Sequence, residues 1–294
     1  MPGRKIFITG GTGKISRMLL SRLSACGYDM TVLTRKSSLG ELPPNVRIAR
    51  GDILDPQSFS QALSGRDSVL HMAAVTHTNS TERYFNVNSI GTRNMLASAE
   101  EQGIKRFIHV STRAISPDGG GYSRSKIEAE RYVIESGLDW VILRPSEVYG
   151  TGGNEGIELL LAKFDKMPFV PVIGTGRYSI APLHISDLLD AIIKVLDMNN
   201  LKNKIYTLAG PEDFSYNALV DRIMEIKHVR KFKVTIPAFS VKIISRISSL
   251  LFGDRFLASD QVPRLISKKS ADISLAEIDL AFKPKSVGEV LESK

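Results

Sequence analysis

Two side chains of this 294-residue chain have the types and spacing for proton transfer: Tyr122 and Lys126, in Tyr122-Ser123-Arg124-Ser125-Lys126. Four residues apart on a helix, they project from one face toward one cleft. A phenol with a reference pKa of about 10 is a poor base near neutrality, and lowering it by ~3 units takes roughly 4 kcal/mol of preferential phenolate stabilisation. An ammonium one turn away can supply part of that. A Tyr and a Lys at this spacing also occur as an ordinary surface pair, so the surrounding elements decide between the readings.

A second cluster suits an anion. Thr9-Gly10-Gly11-Thr12-Gly13-Lys14-Ile15-Ser16 follows the apolar run Ile6-Phe7-Ile8 and opens a helix running toward Cys26. Such glycines allow a tight turn that brings backbone N–H groups and the positive helix end to a pyrophosphate. The context predicts a dinucleotide site at Gly10, Gly11, Thr12, Gly13, Lys14 and Ile15. At the end of the second strand, where NAD would meet a carboxylate, stands Thr34-Arg35-Lys36. Nothing acidic repels a 2′-phosphate there, and Arg35, with Lys36 beside it, offers a planar fork to hold one. NADP is the expected preference, with NAD left open. Asp52, in Gly51-Asp52-Ile53 after the third strand, is placed either to accept from the adenine amino group, with Ile53 alongside, or to cap a helix.

These clusters need a rigid frame. Ile6-Phe7-Ile8, Thr31-Val32-Leu33, Val46-Arg47-Ile48, Ser68-Val69-Leu70, Phe107 to Val110 and Trp140 to Leu143 read as strands, and helical patterns separate most of them. The alternation predicts an α/β fold, a doubly wound parallel sheet covered on both faces, with ligands beyond the C-terminal strand ends. After Gly150 the rhythm breaks and resumes over Ile180 to Leu208; from Pro211 onward it is mostly helical, with a short strand at Phe232 to Ile236. The expected division is a nucleotide-binding domain of residues 1–150 and 178–210, with a smaller, mostly helical substrate lobe of 151–177 and 211–294.

Taken in order, the motifs resemble the extended short-chain dehydrogenase/reductase superfamily, in its NAD-dependent epimerase/dehydratase group. Besides Gly10-x-x-Gly13 and the Tyr–Lys pair, they comprise His71-Met72-Ala73-Ala74, Asn88-Ser89-Ile90-Gly91-Thr92, Leu143-Arg144-Pro145 with Val148-Tyr149-Gly150, and Leu183-His184-Ile185-Ser186-Asp187. The resemblance implies hydride transfer at a hydroxyl or carbonyl carbon, most readily of a nucleotide sugar. It implies that Tyr122 moves the proton, Lys126 holds the nicotinamide ribose, Thr112 (with Ser111 adjacent) meets the substrate hydroxyl and Asn88 supports a proton relay. Ala73, Ala74 and Pro145 would line the cofactor. Two features depart from the pattern: Ser16 replaces the third glycine, and the connection from Ser111 to Tyr122, ending in Gly119-Gly120-Gly121, is short. With Glu135 to Trp140, that short connection also resembles the Rossmann-type accessory subunits of respiratory complex I, which leaves a catalytically silent, cofactor-holding protein as the rival reading. Arg177, in Gly174-Thr175-Gly176-Arg177, could meet an anionic substrate group or simply lie on an exposed turn.

Composition sets the remaining bounds. No stretch approaches the roughly 20 apolar residues of a membrane-spanning helix, the N-terminal apolar run is too short for a signal peptide, and the lone Cys26 allows no internal disulfide. A reducing cytoplasm is expected, with Cys26 a small buried helix residue. The five histidines show no metal-ligand spacing, so no metal is expected. The net charge of +8 falls wholly within residues 227–269, where ten Lys or Arg face two acids. No aromatic-interleaved nucleic-acid motif accompanies it. Within that segment Val241, Ile243, Ile244, Ile247, Leu250 and Leu251 recur at helical spacing, predicting an amphipathic helix packed on the core, with docking to an anionic membrane or acidic partner as the alternative. The expected partner is a small-molecule substrate, and a homodimer stays open.

Overall fold

The computed structural model describes residues 4–36, 40–153, 156–166, 168–237, 239–240 and 261–293. All six expected strands form: β1 (Lys5–Thr9), β2 (Asp29–Thr34), β3 (Val46–Arg50), β4 (Ser68–His71), β5 (Arg106–Val110) and β6 (Asp139–Pro145). They join a later strand, Lys204–Leu208, in a seven-stranded sheet, parallel at every pairing, in which the order runs from that strand through β6, β5, β4, β1 and β2 to β3. The order reverses between β1 and β4, which opens the crevice where such sheets bind ligands.

Period-two alternation divides the core between the two faces. Ile6, Ile8, Ile108, Val141 and Leu143 pack on one side, and Phe7, Phe107, Trp140 and Ile142 on the other. The first face is covered by α1 (Lys14–Ala25), through Leu19, Leu20 and Leu23, and by the later helix Ile185–Asp197. The second is covered by a long helical run: α2 (Thr81–Tyr84), a π-helical turn Phe85–Ile90, and α3 (Gly91–Glu101). Beside it on the same face lies α4 (Gly120–Glu135), through Val133.

Beyond β6 come β7 (Val148–Tyr149), α5 (Gly156–Phe164), β8 (Phe169–Ile173), β9 (Ser179–Ile180), β10 (Leu183–His184), α6 (Ile185–Asp197) and β11 (Lys204–Leu208). Then follow β12 (Phe214–Ser215), α7 (Tyr216–Ile226), β13 (Phe232–Ile236), α8 (Gln261–Ile266), α9 (Ser274–Leu280) and α10 (Val287–Glu292). A separate apolar cluster joins Tyr149, Ile157, Phe164, Val170, Leu219, Ile223 and Val290. Among the described residues three two-stranded sheets accompany the helices here: β7 with β10 and β8 with β13, both parallel, and β9 with β12, antiparallel. Among the described residues no helix is long and apolar enough to cross a membrane.

Several local expectations change. Gly119 caps α4, and Gly120 and Gly121 form its first turn rather than a loop. A Cβ on Gly121 would press on the Tyr84 ring at 3.2 Å, and one on Gly119 would run into Ser123 at 2.5 Å. The glycines serve close packing here. Cys26 is exposed at the end of α1, where the chain turns at Gly27 (φ +79°), rather than buried. The amphipathic stretch 241–251 lies outside the described residues.

Candidate active site

Helix α4 is fastened at its start to the chain leaving β5. The Ser123 hydroxyl donates to the Ala114 carbonyl and accepts from the Ser116 N–H at 3.0 Å, which brings the 111–116 segment against the helix face bearing Tyr122 and Lys126. Lys126 is 1% exposed. Its Nζ donates to the Val110 carbonyl at 3.0 Å and lies 3.2 Å from His109 Nε2. Burial pushes the ammonium down to about 8, opposed by the Glu130 carboxylate one turn on. One turn earlier Tyr122 meets the edge of Tyr84, ring centres 5.8 Å apart, and the Arg264 guanidinium lies 4.5 Å from its ring centre. A guanidinium thus lies over the Tyr122 ring, with the Lys126 ammonium one helical turn along α4.

The neighbouring expected residues are brought together, with one change in wiring. Thr112 Oγ1 accepts from the Ala114 N–H at 3.1 Å, and the buried Ser111 hydroxyl has no hydrogen-bond partner among the described residues. Asn88, fully buried in the π-helical turn, accepts from the Val75 N–H at 2.8 Å and donates to the Val75 carbonyl and to Ser125 Oγ. Ser125 in turn donates to the Tyr122 carbonyl at 2.8 Å. Asn88 thus braces the loop after β4 and the backbone of α4, while Lys126 takes its contacts from β5.

The turn after β1 has the shape a pyrophosphate needs. Gly10 holds φ +77°, and a Cβ there would meet the Met72–Ala73 backbone at 2.7 Å; at Gly11 it would overlap Val32 at 2.2 Å. Gly13 offers no side-chain cap to α1, so the first N–H groups of the helix, running into Lys14 and Ile15, are left for an anion. Ser16, in place of a third glycine, puts its hydroxyl to use by donating to the Gly10 carbonyl at 2.7 Å. Thr9 Oγ1 accepts from the Met72 and Ala73 N–H groups, which holds the Ala73-Ala74 segment beside the turn; Pro145 lies at the C-terminal end of β6. These features fit a dinucleotide.

At the adenosine end Arg35 is 70% exposed, 3.5 Å from Asp52, and Lys36 is also exposed. Asp52 caps no helix: its carboxylate closes a tight turn by accepting from the Leu54 N–H at 3.0 Å, because the 3₁₀ turn that follows starts only after Asp55. Ile53 is buried against Gly91 of α3.

A charged cluster escaped the sequence reading. Arg113, next to Thr112, is bound by Glu147 at 2.8 Å and by Ser179, and Lys269 reaches the other Glu147 oxygen at 2.9 Å. The Arg113 and Lys269 side chains are 1% and 2% exposed. Burial alone would raise the Glu147 carboxyl, but Lys269 and Arg113 outweigh it and hold the group below its ordinary value. Arg264, besides lying on Tyr122, donates to the Thr76 carbonyl at 3.2 Å. Two cations of the basic segment therefore point inward, and Lys227 and Lys233 pair with Asp165 and Asp221. Arg177 lies exposed on its turn. The adjacency of Arg113 to Thr112 was the one available sequence signal.

Comparison with known proteins places this geometry. The chain is 26% identical over 310 residues to a UDP-glucose 4-epimerase of Vibrio cholerae, a match taking in 96% of this chain and 91% of that protein. It is 28% identical over 232 residues to NADH dehydrogenase (ubiquinone) 1 alpha subcomplex subunit 9 of Dictyostelium discoideum, covering 74% of this chain and 62% of the other. Among solved structures, a UDP-glucuronic acid 4-epimerase from Bacillus cereus in complex with UDP-glucuronic acid and NAD superposes with a TM-score of 0.77 at 21% identity, over 98% of this chain and 96% of that one. The description of the NAD dependent epimerase/dehydratase family matches residues 6–209, from β1 through β11. The chain belongs to the NAD-dependent epimerase/dehydratase family.

Proposed function

We propose that this chain is an NAD(P)-dependent enzyme moving a hydride at a hydroxyl or carbonyl carbon of a nucleotide sugar. The observation that carries the reading is the buried Lys126 ammonium, anchored on Val110 one helical turn from Tyr122. The dinucleotide, when bound, supplies the hydride acceptor and donor. Tyr122 takes the proton from the substrate hydroxyl and returns it in the reverse direction, Lys126 favours the phenolate and holds the nicotinamide ribose, and Thr112, with Ser111 beside it, orients the substrate hydroxyl. Asn88 supports them through Val75 and Ser125. The intact pair supports turnover over the cofactor-holding alternative. Arg177, exposed on its turn, and Arg264, over the Tyr122 ring, suit the anionic part of such a substrate. We assign cofactor binding to residues 1–150 and 178–210 and substrate binding to 151–177 and 211–294, a division supported by the separate apolar cluster around Phe164 and Leu219. The proposed setting is the cytoplasm.

Identifying the nucleotide released from the purified protein tests this reading: tightly held NAD points to an internally recycling epimerase, exchangeable NADP to a reductase, and no dinucleotide at any concentration contradicts it.

NADP is the proposed preference, supported by the exposed Arg35 and the missing acid at the end of β2. The Arg35–Asp52 pair is solvent-screened and worth little, so Arg35 can leave it for a 2′-phosphate. Arg35→Ala is expected to reduce the NADP advantage by about tenfold or more, the scale of a lost charge-assisted bond. Titrating both dinucleotides into parent and variant checks this; an unchanged ratio removes Arg35 from the site.

A peripheral contact of the 227–269 segment with an anionic membrane or an acidic partner is also proposed. Its support is the outward side of the β8–β13 sheet, where Phe169 pairs in register with Phe232, 83% exposed, beside Val234. Sedimentation is expected with anionic vesicles only, fading with salt. No sedimentation at low salt would leave the segment as protein surface.

A further inference from the structure

Strand alternation puts His109 on the same side of the sheet as Phe107, the side that α4 covers, and parallel pairing sets it opposite His71. Both imidazoles are fully buried, their rings stacked with centres 5.4 Å apart. His71 is bound at each nitrogen, by Thr9 Oγ1 at 2.8 Å and Thr92 Oγ1 at 2.9 Å. His109 has Lys126 Nζ at Nε2, while its Nδ1 has no hydrogen-bond partner among the described residues.

Burial, then the Lys126 charge, then His71 hold His109 well below its ordinary value; burial and Lys126 do the same to His71, down to about 3. Both rings are therefore neutral at physiological pH. A neutral imidazole facing an ammonium accepts at the facing nitrogen, so the His109 proton belongs on Nδ1, where it is buried at a cost. An ammonium has three N–H groups. Val110 and His109 engage two of them, which takes most of the rotational freedom from a flexible four-carbon stem and fixes where the third can reach.

We propose that His109 is a positioning residue: accepting from Lys126 at Nε2 while braced on His71, it fixes the site from which Lys126 meets the nicotinamide-side ribose. The link to the ribose rests on the cofactor reading above; the His109–Lys126 bond does not. Through Thr9, which also holds the Met72 and Ala73 N–H groups, the same stack joins the lysine to the turn that receives the pyrophosphate.

Nitrogen NMR of the parent protein tests the bond without substitution: His109 is expected as the Nδ1–H tautomer with an accepting Nε2 across the neutral range. Finding the Nε2–H tautomer would overturn the proposal. His109→Phe keeps an aromatic ring on His71 but removes the acceptor, and His109→Gln restores an amide acceptor. The Lys126 titration, near 8 in the parent, should fall in the Phe variant and return toward the parental value in Gln. Lys126 is flanked in that titration by Glu130 and Tyr122 on its own helix and by His109 and His71 from the sheet. NAD or NADP should bind about tenfold more weakly to His109→Phe and within about threefold of parent to His109→Gln. Parental cofactor affinity in the Phe variant overturns the positioning role. Parent protein that binds neither dinucleotide instead overturns the cofactor reading, and with it the ribose link.

Discussion

Tyr122→Phe is expected to lower turnover at least ~100-fold, the scale of a lost general acid/base, while leaving cofactor affinity near that of the parent. The substitution removes one oxygen and keeps the ring that packs edge-on to Tyr84 and beneath Arg264, so neither α4 nor α8 loses its contact. Lys126 keeps both of its partners, since neither is Tyr122. The loss should therefore fall on kcat, with the dinucleotide dissociation constant unchanged. Rates and binding measured on the same preparation separate the two effects. Parental activity in the variant would show that another group carries the proton; equal losses in kcat and in cofactor affinity would mean that the phenol holds the cofactor.

Glu147→Ala is expected to destabilise the fold by about 3 kcal/mol, the lower end for removing one partner from a buried pair. The lower end applies because the carboxylate keeps some access to water, with a side chain 26% exposed, whereas Arg113 and Lys269 have almost none. Without Glu147, those two buried cations lose the carboxylate they share. The segment carrying Lys269 should then lose its hold on the connection between β6 and β7, and the substrate KM should rise along with the loss of stability. Urea unfolding measures the first effect and steady-state kinetics the second. The pH dependence has a definite sign. Because the folded-state Glu147 carboxyl lies below its reference value of 4.5, its contribution is complete above that value and is lost as pH falls through the depressed one. Parent and variant should thus differ most near neutrality and converge in acid. A constant difference down to low pH would show that the ion pairs do not supply the stability. Replacing all three partners by apolar residues of similar volume should recover much of the loss, as such triads exchange for packed hydrophobic groups at little cost.

What the sequence made legible follows from the range of the interactions involved. The β1–turn–α1 unit could be read because its signals, three apolar residues, glycines and a helical period, lie within twenty residues of one another. The same holds for Tyr122 and Lys126, one helical turn apart. The Arg113–Glu147–Lys269 cluster joins positions separated by 34 and 122 residues, and no local pattern announces such a meeting. Charge counting gave Lys269 and Arg264 only as members of a basic segment, since composition cannot tell an inward cation from a solvated one. His109 and His71 lacked metal-ligand spacing and so read as ordinary core residues; only the parallel register of β4 and β5 reveals that they stack beside Lys126. The glycines at 119–121 resembled a loop because the alternative use of a missing Cβ, close approach to Tyr84 and Ser123, depends on packing. Asn88 was found by its motif, but its bonds to Val75 and Ser125 were not.

Hydride transfer on a nucleotide sugar, with Tyr122 moving the proton beside Lys126, should be visible in a single-turnover experiment. The protein, loaded with NAD or NADP, is mixed with UDP-glucose, UDP-glucuronic acid and dTDP-glucose in turn, and the absorbance of reduced nicotinamide is followed in parent and Tyr122→Phe. At least one sugar nucleotide is expected to reduce the bound cofactor in the parent, at a rate that falls at least ~100-fold in the variant. A parent protein that binds the dinucleotide and yields no reduced nicotinamide with any of them would contradict this expectation and leave the cofactor-holding reading in its place.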